Sequence, residues 1–379
     1  MVLGINSAED QSHRECGEIA QEKPKNRILY LDGLRGLSIL FVLQFHAYAR
    51  WTSIVPYGSR FSDFPLFKFG SLGVFLFFLI SGFVISMTLE KCRNFVDFIY
   101  RRWIRLFPAM LICTIIIFCS AGFFKERPAG IPNISSTLPG LLFIDPGWLS
   151  RIFHVQIIPI EGAFWSLFVE FKFYVFAAII YFYVSKKYFF HYVMSLFLCA
   201  LLVHLFFQLS PNHFWAISNM ITTNFSLQHF GWFASGSAFY EFSTTKKPKY
   251  FLNACIAGLI SAIALSASSS GVLPNVATIS VFLLFALAIA NINFQNLLQT
   301  RFFLFFGIVS YPLYLFHENM MISMIIKIGK HMPRLPGLLV PIAPVILLSL
   351  LAYFIARYAE PKIKYSINAF RFISAKSRS

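Results

Sequence analysis

Four stretches of this sequence set chemistry-bearing side chains among apolar ones. The first is Tyr30-Leu31-Asp32-Gly33-Leu34-Arg35-Gly36, which opens an apolar run ending at His46. Read as a helix, it makes Asp32 an N-cap, because its carboxylate can accept from the free amides of the first turn. Arg35 and His46 are then about three turns apart on one face, separated by roughly 16 Å. An imidazole can take a proton near neutral pH, although a lone histidine on an apolar helix is more often a packing residue. The second stretch is Tyr100-Arg101-Arg102-Trp103-Ile104-Arg105-Leu106-Phe107-Pro108. As a helix it brings the guanidiniums of Arg101, Arg102 and Arg105 to one face, and arginine grips phosphate in a fork that lysine cannot copy. The plain alternative is an interfacial anchor.

In the third stretch, Phe164-Trp165-Ser166-Leu167-Phe168-Val169-Glu170-Phe171-Lys172-Phe173-Tyr174, the spacing of four stacks Ser166, Glu170 and Tyr174 on one helical face. Lys172 lies about 200° round the wheel from Glu170, so the carboxylate needs a partner from another helix, with His46 or an arginine the natural choice. The fourth is Ser310-Tyr311-Pro312-Leu313-Tyr314-Leu315-Phe316-His317-Glu318. There Pro312 suits a first helical turn, and Tyr314 and His317 stack one turn apart. Packing with a hydrogen bond is as good an account of His317 as catalysis. Ser81-Gly82 adds a glycine that would admit either a close helix or a ligand.

These groups need something to hold them, and composition says what it is. Of 379 residues, 57% are hydrophobic and 13% charged, about half the usual share of charge. Such a chain cannot solvate a globular surface, so a soluble enzyme, a secreted disulfide scaffold and a disordered regulator are excluded. Runs long enough to span a bilayer recur near 33–51, 69–89, 106–124, 163–184, 191–209, 214–240, 250–269, 272–292, 302–326 and 336–358. The expected fold is therefore all-α: a polytopic transmembrane bundle of about ten spans. The run at 214–240 is the weakest, because its first half is polar.

With that count, 22 of the 32 Lys and Arg fall on one side and 9 on the other, with Lys172 inside a span. The bias predicts both termini in the cytoplasm. It also accounts for the net charge of +16 as topology and attraction to anionic lipid, with no role for nucleic acid. Residues 1–28 read as a polar cytoplasmic tail without a cleavable signal, residues 29–360 as the membrane domain, and residues 361–379 as a basic cytoplasmic tail. The long connection 125–160 is expected outside, at a length that is often functional. The six cysteines (Cys16, Cys92, Cys113, Cys119, Cys199 and Cys255) form no zinc-type or CxxC spacing, which argues against disulfides and a metal. Charged groups at membrane depth cost at least about 2.5–3.5 kcal/mol each, so an idle membrane scaffold is disfavoured. A transporter or flippase for a glycan or small amphiphile is the rival to an enzyme.

Taken together and in order, the four stretches and Phe78 through Ile85 resemble the acyltransferase-3 family of integral membrane O-acyltransferases. The carriers are the Arg35…His46 pair, the arginine cluster, the Trp-Ser-Leu-x-x-Glu element at Trp165 to Glu170, and the Ser-Tyr-x-x-Tyr-Leu-x-His element at Ser310 to His317. The resemblance is to the stand-alone kind, without a fused esterase-like domain. Lys172 departs from it, since an uncharged residue is usual there. It implies a ten-helix core that takes an acyl group, acetyl by preference, from cytoplasmic acyl-CoA and delivers it to a hydroxyl. That hydroxyl is commonly on a cell-surface or exported glycan such as O-antigen or exopolysaccharide, or on a lipid-linked saccharide. The location expected is a bacterial inner membrane. Acyl-CoA would be a co-substrate, with no permanently bound cofactor.

On this reading Arg101, Arg102 and Arg105 hold the phosphates of coenzyme A, Gly82 lets the donor approach, and Arg35 lines the way in. His46 is the general base on the acceptor hydroxyl. Glu170 orients it, much as a carboxylate serves a Ser-His-Asp triad. Ser166 or Tyr174 donates to the developing oxyanion, with Asp32, Tyr314 and His317 in support. An acyl-His46 intermediate is the second route.

Overall fold

The computed structural model describes residues 28–267, 269 and 271–376, with side chains to residue 369. Every regular element among them is helical. The long helices are α1 (Leu29–Phe45), α2 (Gly73–Leu89), α3 (Phe95–Ser120), α4 (Trp165–Ile179), α5 (Phe189–Leu209), α6 (Phe230–Thr245), α7 (Pro248–Ser266), α8 (Val272–Ala290), α9 (Arg301–His331), α10 (Ile342–Phe354) and α11 (Glu360–Lys376). Among the described residues, seven helical segments are long and apolar enough to cross a membrane by themselves: those containing α2, α3, α4, α5, α7, α8 and α10. The other three expected spans fall on α1 and α6, which have 17 and 16 residues, and on α9, which carries polar residues of the site.

Small residues decide which helices form the centre. A Cβ at Gly36 or Gly307 would collide with backbone across the α1–α9 seam, one at Gly33 with the backbone of Leu298 in the short helix Ile292–Leu298 just before α9, and one at Gly82 or Gly236 with backbone across the α2–α6 seam. Without much hydrophobic drive inside lipid, such close backbone approach is what holds helices together. α1 also lies against α2, and α3 and α4 close over the remaining face. The aromatic core, including Phe83, Phe98, Phe164, Phe173, Phe233, Phe316 and Trp232, is fully buried between them.

Several boundaries differ from those expected. The helix start lies at Ile28, one turn before Asp32, which sits inside the first turn of α1 and accepts from Arg35 Nη1 at 3.1 Å. α3 begins at Phe95, eleven residues earlier than the apolar run, because Asn94 caps it by accepting from Asp97 N at 2.9 Å; the three arginines thereby lie on the helix. The run 214–240 is divided into His213–Asn224 and α6 by Ser226, whose φ is 59°. Pro312 stands inside the 31-residue α9 rather than in a first turn, which neighbouring helices make tolerable in a membrane bundle. The basic tail at 361–379 is helix as far as Lys376, continuous with α10 through the π-helical turn Ile355–Ala359, and Tyr100 Oη donates to Asn368 at 2.8 Å. The expected tail at 1–28 lies, but for its last residue, outside the described residues.

The connection at 125–161 folds back in short helices, Leu138–Leu142 and Pro146–Phe153. Lys172 ties it down. Its ammonium is 3.1 Å from Asp145 Oδ2 and 3.2 Å from Ser226 Oγ, above the Trp148 ring. As its position on the wheel requires, it does not pair with Glu170.

Candidate active site

Two polar features lie in series along the centre of the bundle. The first is a cavity of about 300 Å³ among α1, α2, α3, α4, α9 and the start of α11. Its walls include Asp32 and Arg35 from α1, Ser81 from α2, Arg105 from α3, Ser166 and Glu170 from α4, Ser310, Tyr311 and Tyr314 from α9, and Glu360. Glu170 accepts from Ser81 Oγ on the neighbouring helix and from Tyr174 Oη, one turn on, at 2.7 Å. The face expected for Ser166, Glu170 and Tyr174 is therefore present, but the partner of Glu170 is a serine and not His46 or a bonded arginine. Tyr174 directs its hydroxyl proton at Glu170 in a hydrogen bond and is not among the residues lining the cavity.

The arginines do not converge. Arg105 reaches the cavity and joins Arg35 there. Arg102 turns the other way: it is 2% exposed, donates to Val84 O at 2.9 Å and to Thr88 Oγ1, and lies over the Phe98 and Tyr174 rings. Arg101 is exposed and pairs with Asp97 at 2.9 Å. Arg101 and Arg102 are consecutive and diverge by about 100°, toward solvent and toward α2; Arg105 lies between them on the wheel but one turn further along the axis, level with the cavity. Gly82 does not line the cavity; a Cβ there would meet the backbone of Phe233.

The second feature is a buried cluster beyond Tyr314. Ser166 donates to the Tyr314 hydroxyl at 2.7 Å, which in turn donates to Ala163 O at 2.7 Å. One turn further along α9, the ring of His317 lies 5.5 Å from that of Tyr314, and the ring of His46 stands edge-on to His317 at 4.8 Å. His46 opens the π-helical turn His46–Arg50 that ends α1; such turns re-aim side chains and recur at functional sites. Its Nδ1 is 3.4 Å from Glu318 Oε1. Thus the carboxylate beside His46 is Glu318, and the helix expected to supply it, α4, supplies none. His317 donates from Nδ1 to Tyr314 O at 2.9 Å, which leaves the Nε2 lone pair free to accept.

Two atoms of this cluster, His317 Nε2 and Glu318 Oε2, are buried without a hydrogen-bond partner, and His46 Nδ1 has only its 3.4 Å contact with Glu318 Oε1. Buried polar atoms are nearly always paired, so a group of unpaired ones marks where a polar ligand would be held. Chemically, the arrangement joins a cationic cavity to a pair of imidazoles with a carboxylate at hand. That combination can seat an anionic donor at one end and remove a proton at the other.

Sequence reasoning passed over Glu318, Arg127, Glu161 and Asn319. Glu318 adjoins the His317 that was singled out, and a carboxylate in an apolar run was signal enough. Arg127 and Glu161 sit in the long connection, where no pattern marks them. Both are nonetheless buried, 3.6 Å apart, with Asn319 donating to Glu161 from its side chain at 2.5 Å. Burial pushes the Glu161 carboxyl up to about 8, with Arg127 pulling the other way.

Comparison with known proteins follows the same lines. Residues 28–357 match the acyltransferase-3 family, described as an acyltransferase domain. An O-acetyl transferase of Shigella phage Sf6 is 27% identical over 148 residues, which are 38% of this chain and 43% of that protein. A peptidoglycan O-acetyltransferase of Listeria monocytogenes is 26% identical over 156 residues, 38% of this chain and 22% of that protein. Less than half the length of each relative is matched. No solved structure matches.

Proposed function

The chain belongs to the acyltransferase-3 family of multi-pass membrane proteins, and from that premise we propose that it is an O-acetyltransferase acting on a cell-surface or exported glycan. The donor is acetyl-CoA from the cytoplasm, the membrane is the bacterial inner membrane, and the acceptor is a hydroxyl of a polysaccharide or lipid-linked saccharide. The names of the relatives support acetyl over longer groups. One observation carries the reading: a cavity lined by Arg35 and Arg105 ends at Tyr314, directly against the His46–His317–Glu318 cluster.

Arg105 and Arg35 hold phosphates of coenzyme A in forked, charge-assisted bonds. Glu170, anchored by Ser81 and Tyr174, keeps that cationic cavity from being uniformly positive and fixes the register of α4 against α2. The thioester passes Ser166 and Tyr314. His46, with Nδ1–H turned to Glu318, presents Nε2 to the acceptor hydroxyl as general base. The hydroxyl oxygen bonds to the thioester carbonyl carbon as its proton moves to His46. The carbon–sulfur bond then breaks, and the proton passes to the departing thiolate. Glu318 offsets the charge the imidazole gains, the part first assigned to Glu170. Ser166, whose hydroxyl can turn from Tyr314, is the donor available to the oxyanion.

The test uses membranes bearing the wild type, His46→Ala or Glu318→Gln, supplied with radiolabelled acetyl-CoA. Label is read in washed glycan and lipid-linked saccharide, with protein amount matched. Wild type labels; His46→Ala does not; Glu318→Gln loses about 10²-fold or more, as removal of a carboxylate orienting a catalytic histidine does elsewhere. Label from His46→Ala equal to wild type would remove the assigned base. Rapid quench with donor alone distinguishes direct transfer, which leaves the protein unlabelled, from an acyl-His46 intermediate.

A further inference from the structure

Three consecutive residues before α4 grip α9 at the height of the histidine cluster. Glu161 Oε2 accepts from the backbone N of Asn319 at 3.2 Å and from its Nδ2 at 2.5 Å. Gly162 lies against the Glu318 carboxylate, so closely that a Cβ there would stand 3.0 Å from Oε2. Ala163 O accepts from Tyr314 Oη at 2.7 Å. Behind them Arg127 donates from Nη2 to Ile160 O at 2.5 Å and faces Glu161 Oε1 at 3.6 Å. Asn319 is held from its other side too, by Ala129 N at 2.9 Å.

A buried arginine facing a buried carboxyl is a poor device for stability alone, because desolvation consumes most of any attraction between them. Arg127 and Glu161 are 5% and 0% exposed, yet what they secure is the residue next to Glu318. Gly162 is not there for its backbone, since its φ lies outside the left-handed region. The missing side chain is space that the Glu318 carboxylate occupies. We infer that Arg127, Glu161 and Gly162 are positioning residues: a clamp, built from the long connection, that sets the Glu318 carboxylate against His46 and so sets the rate of acyl transfer without touching either substrate. The inference rests on the transferase reading and deepens it.

The experiment is a double-mutant cycle on the full chain in membranes, with acetyl-CoA as the varied substrate and the native glycan of those membranes as acceptor. Gly162→Ala moves the carboxylate by a few tenths of an ångström and lowers kcat by about tenfold to a hundredfold, the scale of a misplaced catalytic group. KM for acetyl-CoA and the thermal midpoint in detergent stay at wild-type values. In a Glu318→Asp background the shorter carboxylate no longer meets the added methyl, so Gly162→Ala costs nothing further. Glu161→Gln, which keeps an acceptor for Asn319 and mimics the neutral acid, retains most of kcat; Glu161→Ala, which removes the acceptor, loses as much as Gly162→Ala. Equal kcat for wild type and Gly162→Ala overturns the clamp, as does a loss carried by KM alone, or a loss that adds in full to that of Glu318→Asp. Absence of transfer by wild type with every acyl-CoA supplied overturns the underlying reading, and is told apart by the wild-type lane itself.

Discussion

Arg102 and Arg105 stand three positions apart on one helix and do unlike work, which makes them the sharpest residue-scale test. Arg102 satisfies Val84 O and Thr88 from a site closed to solvent. Replacing it by alanine removes its charge-assisted bonds to Val84 O and Thr88 Oγ1 and empties a buried site beside the Phe98 and Tyr174 rings, a loss of about 1.5–3 kcal/mol, so Arg102→Ala should show a lower thermal midpoint and less folded protein on detergent size exclusion. Arg105→Ala should fold normally and raise KM for acetyl-CoA about tenfold or more, the value of a bond to a charged group. Arg101→Ala, which ends an exposed pair with Asp97, should change neither beyond about 0.5 kcal/mol. All three arginines were legible in the sequence as a helical cluster. Their division of labour was not, because a helical wheel gives bearings around one axis and says nothing of which neighbour lies on each bearing. The same holds for His46: its need for a carboxylate followed from chemistry, whereas the choice between Glu170 and Glu318 depends on where α9 crosses α1.

At the scale of elements, apolar run length found the peripheral helices well, since α5, α7 and α8 carry none of the site and meet lipid and their neighbours through apolar faces. It failed where polar residues interrupt the pattern: α3 begins eleven residues early under its Asn94 cap, and Ser226 breaks the run before α6. Helix seams are set by glycines instead, and this bears on Gly82. Had it served the donor, Gly82→Ala would raise KM for acetyl-CoA and leave stability alone. With its Cα against the backbone of Phe233 and Gly236 making the reciprocal contact with Leu79, the opposite is expected. An added methyl forces α2 and α6 apart at a cost of about 1–3 kcal/mol, read as a lower thermal midpoint, while the protein that remains folded keeps the wild-type KM. Gly236→Ala should behave the same way, which no donor-binding account of Gly82 would require.

Seen as a whole molecule, the chain has two chemically distinct ends. Arg35 near the start of α1, Arg105 near the start of α3 and Glu360 at the start of α11 meet at one of them. His46 and Glu318, at the far end of α1 and past the middle of α9, lie toward the other, under the connection at 125–161. The charge bias assigns the first end to the cytoplasm, and the donor's phosphates require the same, because coenzyme A is too polar to cross a bilayer. On the proposed function the two arguments agree on one sidedness, and vesicles can test it. Sealed inside-out vesicles should transfer label from external acetyl-CoA at once, whereas sealed right-side-out vesicles should do so only after permeabilisation. The reverse pattern would invert the bundle, and with it the assignment of Arg105 to the donor and of the His46 face to the glycan. The equal-from-both-sides pattern would mean that the two ends are joined by an open path, which the Tyr314 barrier, hydrogen-bonded to Ser166 and Ala163, is placed to prevent. In that event Tyr314→Ala should leave the pattern unchanged; if Tyr314 is the barrier, the same substitution should make right-side-out vesicles competent without permeabilisation.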